Sequence, residues 1–313
     1  RSVRGSPEPF VPVLAITGSI LLALVALGGL VYFIHHISRS IQVNYIIEAI
    51  ADETEALVDA VFPHPWAPTT TSRPSTDEAD AVDVRATGSG YVQMVDDESL
   101  AEIARAREVH IHCRRKVGQF AVEGCTLASV SPADRVTDEL QAEILGAFDL
   151  GPVRTMQQDV ELGLRQLVDI ALKAISPAVN DPSTAGSCID QLARLLARLA
   201  QRRLAPAAST DPAGSVEHLE TRFVSLLDLA FNQLRQYGKG DMAVSLRMLR
   251  ALDDVASVCR DPVALDRIAV HGRLIGAACE HAFPGEDRHE LSIRSRRLES
   301  TVARSRDRSV TAS

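Results

Sequence analysis

The sequence contains no Cys-x-x-Cys pair, no Walker or Rossmann glycine motif and no Gly-x-Ser-x-Gly elbow. These absences remove the usual phosphate cradles, the nucleophile turn of the α/β-hydrolases and the common paired-thiol redox and zinc sites. The five cysteines, Cys113, Cys125, Cys188, Cys259 and Cys279, are odd in number and scattered. That excludes the disulfide framework of a small secreted domain and points to reduced thiols in a cytoplasmic compartment. His110 and His112 alternate on an expected strand with Cys113 on its other face, which supplies half a zinc site. No metal and no cofactor are expected, and the weight falls against an enzyme.

Basic residues are scarce where acids are dense. The chain carries a net charge of −8, and between Glu48 and Glu98 twelve Asp or Glu stand against Arg73 and Arg85 alone. Such a surface repels phosphate backbones, so nucleic acid is not an expected partner. The last twenty residues reverse the balance, with six Arg against Glu299 and Asp307. Two readings stay open for them: a solvated, partly disordered helix end, or contact with anionic lipid.

Charge is absent altogether from Val11 to Ile34, "VPVLAITGSILLALVALGGLVYFI". At 1.5 Å per residue this run covers about 36 Å, enough for a hydrocarbon core of roughly 30 Å, and it predicts a transmembrane helix with Tyr32 at the interface. Within the run Gly28 and Gly29 are adjacent and Gly18 lies far from them, so it has no Gly-x-x-x-Gly packing motif. Arg1 and Arg4 on one side and Arg39 on the other do not fix an orientation. Because the first residue is Arg, a processed or partial chain is expected.

Six segments follow from pattern and composition. Residues 1–36 are the membrane segment and its flank, and 37–66 a stalk helix carrying Ile37, Ile41, Ile46, Ile47, Ile50, Leu57, Val58 and Val61 at helical spacing. Residues 67–81 are a flexible acidic linker rich in Pro, Ser and Thr. Residues 82–132 form a small β-rich module with a helix "DESLAEIARA" inserted. Residues 133–305 form a helical bundle, and 306–313 a tail. The fold class expected is a membrane-anchored α+β protein. The order "GYVQMVD … VGQFAVEGCTLASV" resembles the barrel-sandwich pattern of biotinyl and lipoyl carrier domains. That resemblance implies the β-module and not its cofactor, since Lys116 is the one lysine of the region and no lysine stands at a hairpin tip.

Within the bundle, Asp181-Pro182, Asp211-Pro212 and Asp261-Pro262 each place a capping carboxylate before a proline whose missing N–H would be orphaned anyway, so each predicts a helix start. Upstream of the first, "QDVELGLRQLVDIALKAI" reads as an amphipathic helix, with Glu161, Arg165, Asp169 and Lys173 at four-residue spacing and alternating sign. Those four form either a solvated ladder or, with Arg165 and Asp169 turned inward, a polar cluster completed by Ser176, Asn180, Asp181 and Thr184 from "ISPAVNDPSTA". These six residues are the candidate ligand or interface site.

"LRQLVDIALKAISPAVNDPSTAGSCIDQL" together with "YFIHHISRSIQV" resembles the DUF2254 family, bacterial predicted membrane proteins of unknown function, over nearly all of residues 1–305. The resemblance implies the C-terminal part of a longer protein from its last membrane helix onward, resident in the cell membrane with a soluble portion in the cytoplasm. The functional expectation is a non-enzymatic homo-oligomeric assembly of conduit or signalling type, in contact with the lipid bilayer. The alternatives are a membrane-tethered scaffold for a protein or small ligand, or a hydrolase using Arg165, Asp169, Ser176 and Asn180.

Overall fold

The computed structural model describes residues 13–40, 43–67, 80–204, 215–219, 221–280, 282–283, 285 and 287–311. The chain divides into two compact units, residues 1–46 and 47–313.

In the first unit lies helix α1, Val13–Ser40. Its large apolar side chains from Ile16 to Tyr32 are exposed. Among the described residues no helix is long and apolar enough to cross a membrane. The transmembrane helix expected at Val11–Ile34 is corrected on that finding, and with it the membrane-anchored fold class.

The second unit begins within α2, Val43–Val61, which is not a free stalk. Ile47, Ala51, Thr54, Leu57 and Val58 point into the helical core. Thr54 lies so close to Gly163 that a Cβ added there would sit 1.9 Å from its hydroxyl, so only glycine lets the two helices meet. On the outer face, the acids that suggested a repelling surface find arginines one helical turn apart. Asp52 accepts from Arg194 at 2.6 Å, and Asp59 accepts from Arg198 at 2.7 Å and Arg202 at 2.6 Å. Arg198, hydrogen-bonded to Asp59, holds that carboxyl below its ordinary value.

The chain then alternates. Strands β1 (Val82–Arg85) and β2 (Gly90–Val95), helix α3 (Asp97–Arg107), strands β3 (His110–Cys113), β4 (Phe120–Ala121) and β5 (Thr126–Ser131), helix α4 (Asp138–Gly146) and strand β6 (Phe148–Gly151) follow in order. Six helices follow: α5 (Val160–Ala174), α6 (Pro182–Leu199), α7 (Phe223–Gly238), α8 (Met242–Val258), α9 (Pro262–Glu280) and α10 (Asp287–Thr311). A seventh strand, β7 (Ser215–Glu217), lies between α6 and α7.

The strands make two sheets, β1-β5-β3-β7 and β4-β2-β6. All pairings are antiparallel except β3 with β7, where Ile111 stands opposite Val216. Val92, Leu100, Ile111, Leu127, Leu140, Ile144 and Phe148 share one core. That core reaches past Pro132, so the expected switch to helix alone at that point is corrected: α4 and β6 complete the β-module, and the three-residue β7 returns to it from the bundle.

A separate core joins α2 with α5 through α10, from Ile47 through Leu167, Leu192 and Phe231 to Leu298. Within it Asp228 of α7 accepts from Arg267 at 2.6 Å and His271 at 2.9 Å, both on α9. His271 is fully buried beside Phe231, and burial pushes its pKa down. The C-terminal arginines of α10 are exposed but partnered: Arg306 pairs with Asp266, and Arg308 donates to the Ser257 carbonyl at 2.7 Å.

Candidate functional site

Of the six residues singled out in the sequence, Ser176, Asn180, Asp181 and Thr184 make up the corner between α5 and α6, while Arg165 and Asp169 stand back along α5, and the corner satisfies itself. Asp181 accepts from the backbone N–H of Ser183 at 3.1 Å and of Thr184 at 3.0 Å, while the Thr184 hydroxyl donates to it at 2.6 Å. These bonds, led by the Thr184 hydroxyl, hold its carboxyl below the ordinary value. The Ser176 hydroxyl donates to the Lys173 carbonyl at 2.7 Å, and the Asn180 N–H donates to the Ser176 carbonyl at 2.9 Å. Asn180 takes φ 50°, the left-handed geometry that asparagine tolerates.

Arg165 and Asp169 stand exposed on α5. Among the described residues they form no ion pair with each other or with Lys173, and Glu161, the acid one turn before Arg165, pairs instead with Lys116 in the β-module. The inward polar cluster therefore does not form. Cys188, on α6, is buried, and burial pushes its thiol up to about 12, away from the thiolate form. All five cysteines are free. His110 bonds Ser215 at 2.8 Å and His112 pairs with Glu217 at 2.9 Å, so both histidines fasten β7.

The opposite end of α5, about 21 Å away by helical rise, opens on a cleft of about 600 Å³ between the β-module and the helices. Three connections build its walls. The first is the segment after α2. The Arg203 N–H donates to the His64 carbonyl at 3.0 Å and the Trp66 N–H to the Gln201 carbonyl at 2.8 Å, setting Phe62 and His64 beside Arg203.

The second wall is the turn from β3 to β4, which carries Arg115 and Lys116 and ends at Gly118 with φ 85°. A Cβ on Gly118 would lie 2.3 Å from an Asp159 carboxylate oxygen, so glycine is required by backbone and neighbour alike. The third is the entry to α5. Asp159 is 3 % exposed; it accepts from the Leu162 N–H at 3.1 Å as the helix cap, and from Arg154 at 2.7 Å and 2.9 Å. Burial pushes its carboxyl up, although Arg154 opposes the shift. Beside it Gln158 accepts from the Val95 N–H at 3.0 Å and donates to the Val95 carbonyl at 3.1 Å, which extends β2 by one rung.

The charge balance of this cleft distinguishes it. Each of its acids has a basic partner: Asp159 has Arg154, Glu161 has Lys116, and Asp97 has His218 at 3.4 Å. Arg115 and Arg203 have no hydrogen-bonded or ionic side-chain partner among the described residues, and the Arg115 Nε is buried without an acceptor. Phe62, Leu204 and Leu219 add apolar surface. Two guanidinium groups without counter-charge, set against apolar walls, suit a small anion with an apolar body. Sequence reasoning missed the cleft. Its traces are two short basic runs, "RRK" at 114–116 directly after β3 and "RR" at 202–203 shortly after α6.

Among the described residues no group of three or more His, Cys, Asp or Glu converges as a metal site. No solved structure matches the chain. An uncharacterized protein of Mycobacterium bovis and one of Mycobacterium tuberculosis are each 34 % identical over 285 residues, covering 88 % of this chain and 54 % of theirs. The chain thus spans about half the length of these relatives. The family model described as a predicted membrane protein, DUF2254, matches residues 1–254, a stretch that includes the α5–α6 corner and every residue of the cleft, and the chain belongs to that family.

Proposed function

We propose that this chain supplies the ligand-binding part of a membrane protein, and that the cleft at the start of α5 takes a small organic anion. The carrying observation is that Arg115 and Arg203 lack counter-charges in a cleft of about 600 Å³ whose three acids are all paired. A phosphate or carboxylate between the guanidinium groups would form charge-assisted hydrogen bonds, with the ligand's body against Phe62, Leu204 and Leu219. Phenyl phosphate is a suitable probe because it joins an anion to a flat apolar ring. It is expected to raise the thermal unfolding midpoint of the chain more than inorganic phosphate does, and the double variant Arg115→Ala/Arg203→Ala to abolish the rise. An equal rise in wild type and variant, or none in either, overturns the assignment.

A second reading, a homo-oligomeric assembly of conduit or signalling type, draws support from the exposed apolar side chains of α1, among them Leu21, Leu22, Val25 and Leu30. Apolar surface of that extent calls for a covering partner. The mass of the detergent-solubilised protein, by light scattering corrected for bound detergent, decides it: a ring of several copies favours assembly and a monomer removes it.

A further inference from the structure

A second cavity, of about 700 Å³, lies between α9 and α10, outside the cleft described above. Its floor is apolar and buried, built by Gly272, Leu291 and Leu298, and its rim carries Arg273, Arg288 and Arg296 with Glu299. Three other arginines of α10 meet acids, Arg294 with Glu290, Arg297 with Asp253 and Arg306 with Asp266, while Arg304 donates to the Thr301 hydroxyl and Arg308 to the Ser257 carbonyl. The three at the rim have no acid partner among the described residues; Arg296 donates to the Ser292 carbonyl at 3.3 Å. An apolar trough under a rim with surplus positive charge complements a molecule with an alkyl chain and an anionic head. A wholly polar anion would leave the floor unused, and a neutral alkyl chain the rim.

We infer that the α9–α10 cavity binds a single-chain anionic amphiphile, with the chain along Leu291 and Leu298 and a phosphate or carboxylate head at Arg273, Arg288 and Arg296. Gly276 offers a clean way to block it. A Cβ there meets only the Ser295 hydroxyl, at 3.8 Å, whereas one on Gly272 would stand 2.5 Å from Leu298. Gly276→Leu therefore fills the cavity and also replaces a poor helix former with a good one.

The test titrates dodecyl phosphate, below its micelle concentration, into the full chain by calorimetry. Saturable binding of one equivalent is expected. Arg273→Ala/Arg296→Ala should weaken it about a hundredfold, the effect of two lost charge-assisted contacts at about tenfold each. Gly276→Leu should abolish it with no fall in thermal midpoint, and Arg115→Ala/Arg203→Ala should leave it unchanged. Equal binding of uncharged dodecyl maltoside overturns the assignment, as does full binding by Gly276→Leu, which would place the amphiphile elsewhere. A head group drawn from a bilayer is distinguished by vesicles: sedimentation with phosphatidylglycerol vesicles alone, without capture of the soluble amphiphile, shows a charged surface contact and removes the cavity site.

Discussion

Helix α5 begins and the next helix, α6, begins with the same device, an aspartate that accepts from backbone N–H groups, yet the two aspartates live in opposite conditions. Asp159 is buried under the Gly118 turn, shares its carboxylate with Arg154, and burial pushes its pKa up. Asp181 sits in an open corner, bonded to Ser183 and Thr184, and its pKa is pushed down. Capping geometry alone therefore says nothing about function. What separates the two ends is the second layer: at Asp159 the β-module closes over the cap and brings Arg115 and Lys116 to a cleft, while the side chain of Asp181 bonds only its own corner among the described residues.

The largest break in this comparison comes from Asp159→Ala, which removes the cap and strands Arg154, itself mostly buried. A loss of about 4 kcal/mol is expected in urea unfolding. Gly118→Ala should follow at about 3 kcal/mol, since alanine meets both a left-handed φ and the Asp159–Arg154 pair. Asp181→Ala removes a cap of the same type in solvent and should cost several-fold less than Asp159→Ala; equal losses would erase the distinction between the two ends. Arg165→Ala, on the exposed face of α5, should change stability by less than about 0.5 kcal/mol.

The pH dependence sharpens the comparison because the signs differ. Asp159 has its folded pKa raised, so relative to Asp159→Asn the wild type loses stability as pH rises from 3.8 through that folded value. Asp181 has its folded pKa lowered, so relative to Asp181→Asn the wild type is favoured above 3.8 and loses that advantage as pH falls through the folded value. Unfolding free energies of the three proteins between pH 3 and pH 6 should show slopes of opposite sign. Parallel slopes would mean that Asp159 is solvated like Asp181.

Much of the local structure was legible. The Asp-Pro pairs announced the starts of α6 and α9, where Asp181 and Asp261 accept from the N–H groups two residues on; Asp211 lies outside the described residues. Alternation announced β2, β3 and β5, and the inserted helix is α3. The acidic linker assigned to 67–81 falls largely outside the described residues. Strands β6 and β7 were not legible, for they are short and take their strand geometry from β2 and β3. Nor was the packing of α2, whose apolar stripe reads equally as a stalk or as the outer helix of a bundle until Gly163 and the arginines of α6 are seen against it.

By itself the sequence determined what one helical turn or one strand pair can decide: caps, periodicity, turn glycines and membership of a family. Only the tertiary structure decided which charges lost their water. Asp159 and Arg154 come from the entry to α5 and Arg115 and Gly118 from the β3–β4 turn, two segments distant in the chain, and the desolvation of the charged groups depends on the β-module closing over α5. Capping is a short-range hydrogen bond between near neighbours in the chain, whereas burial is set by contacts between distant segments, and a linear pattern carries the first and not the second.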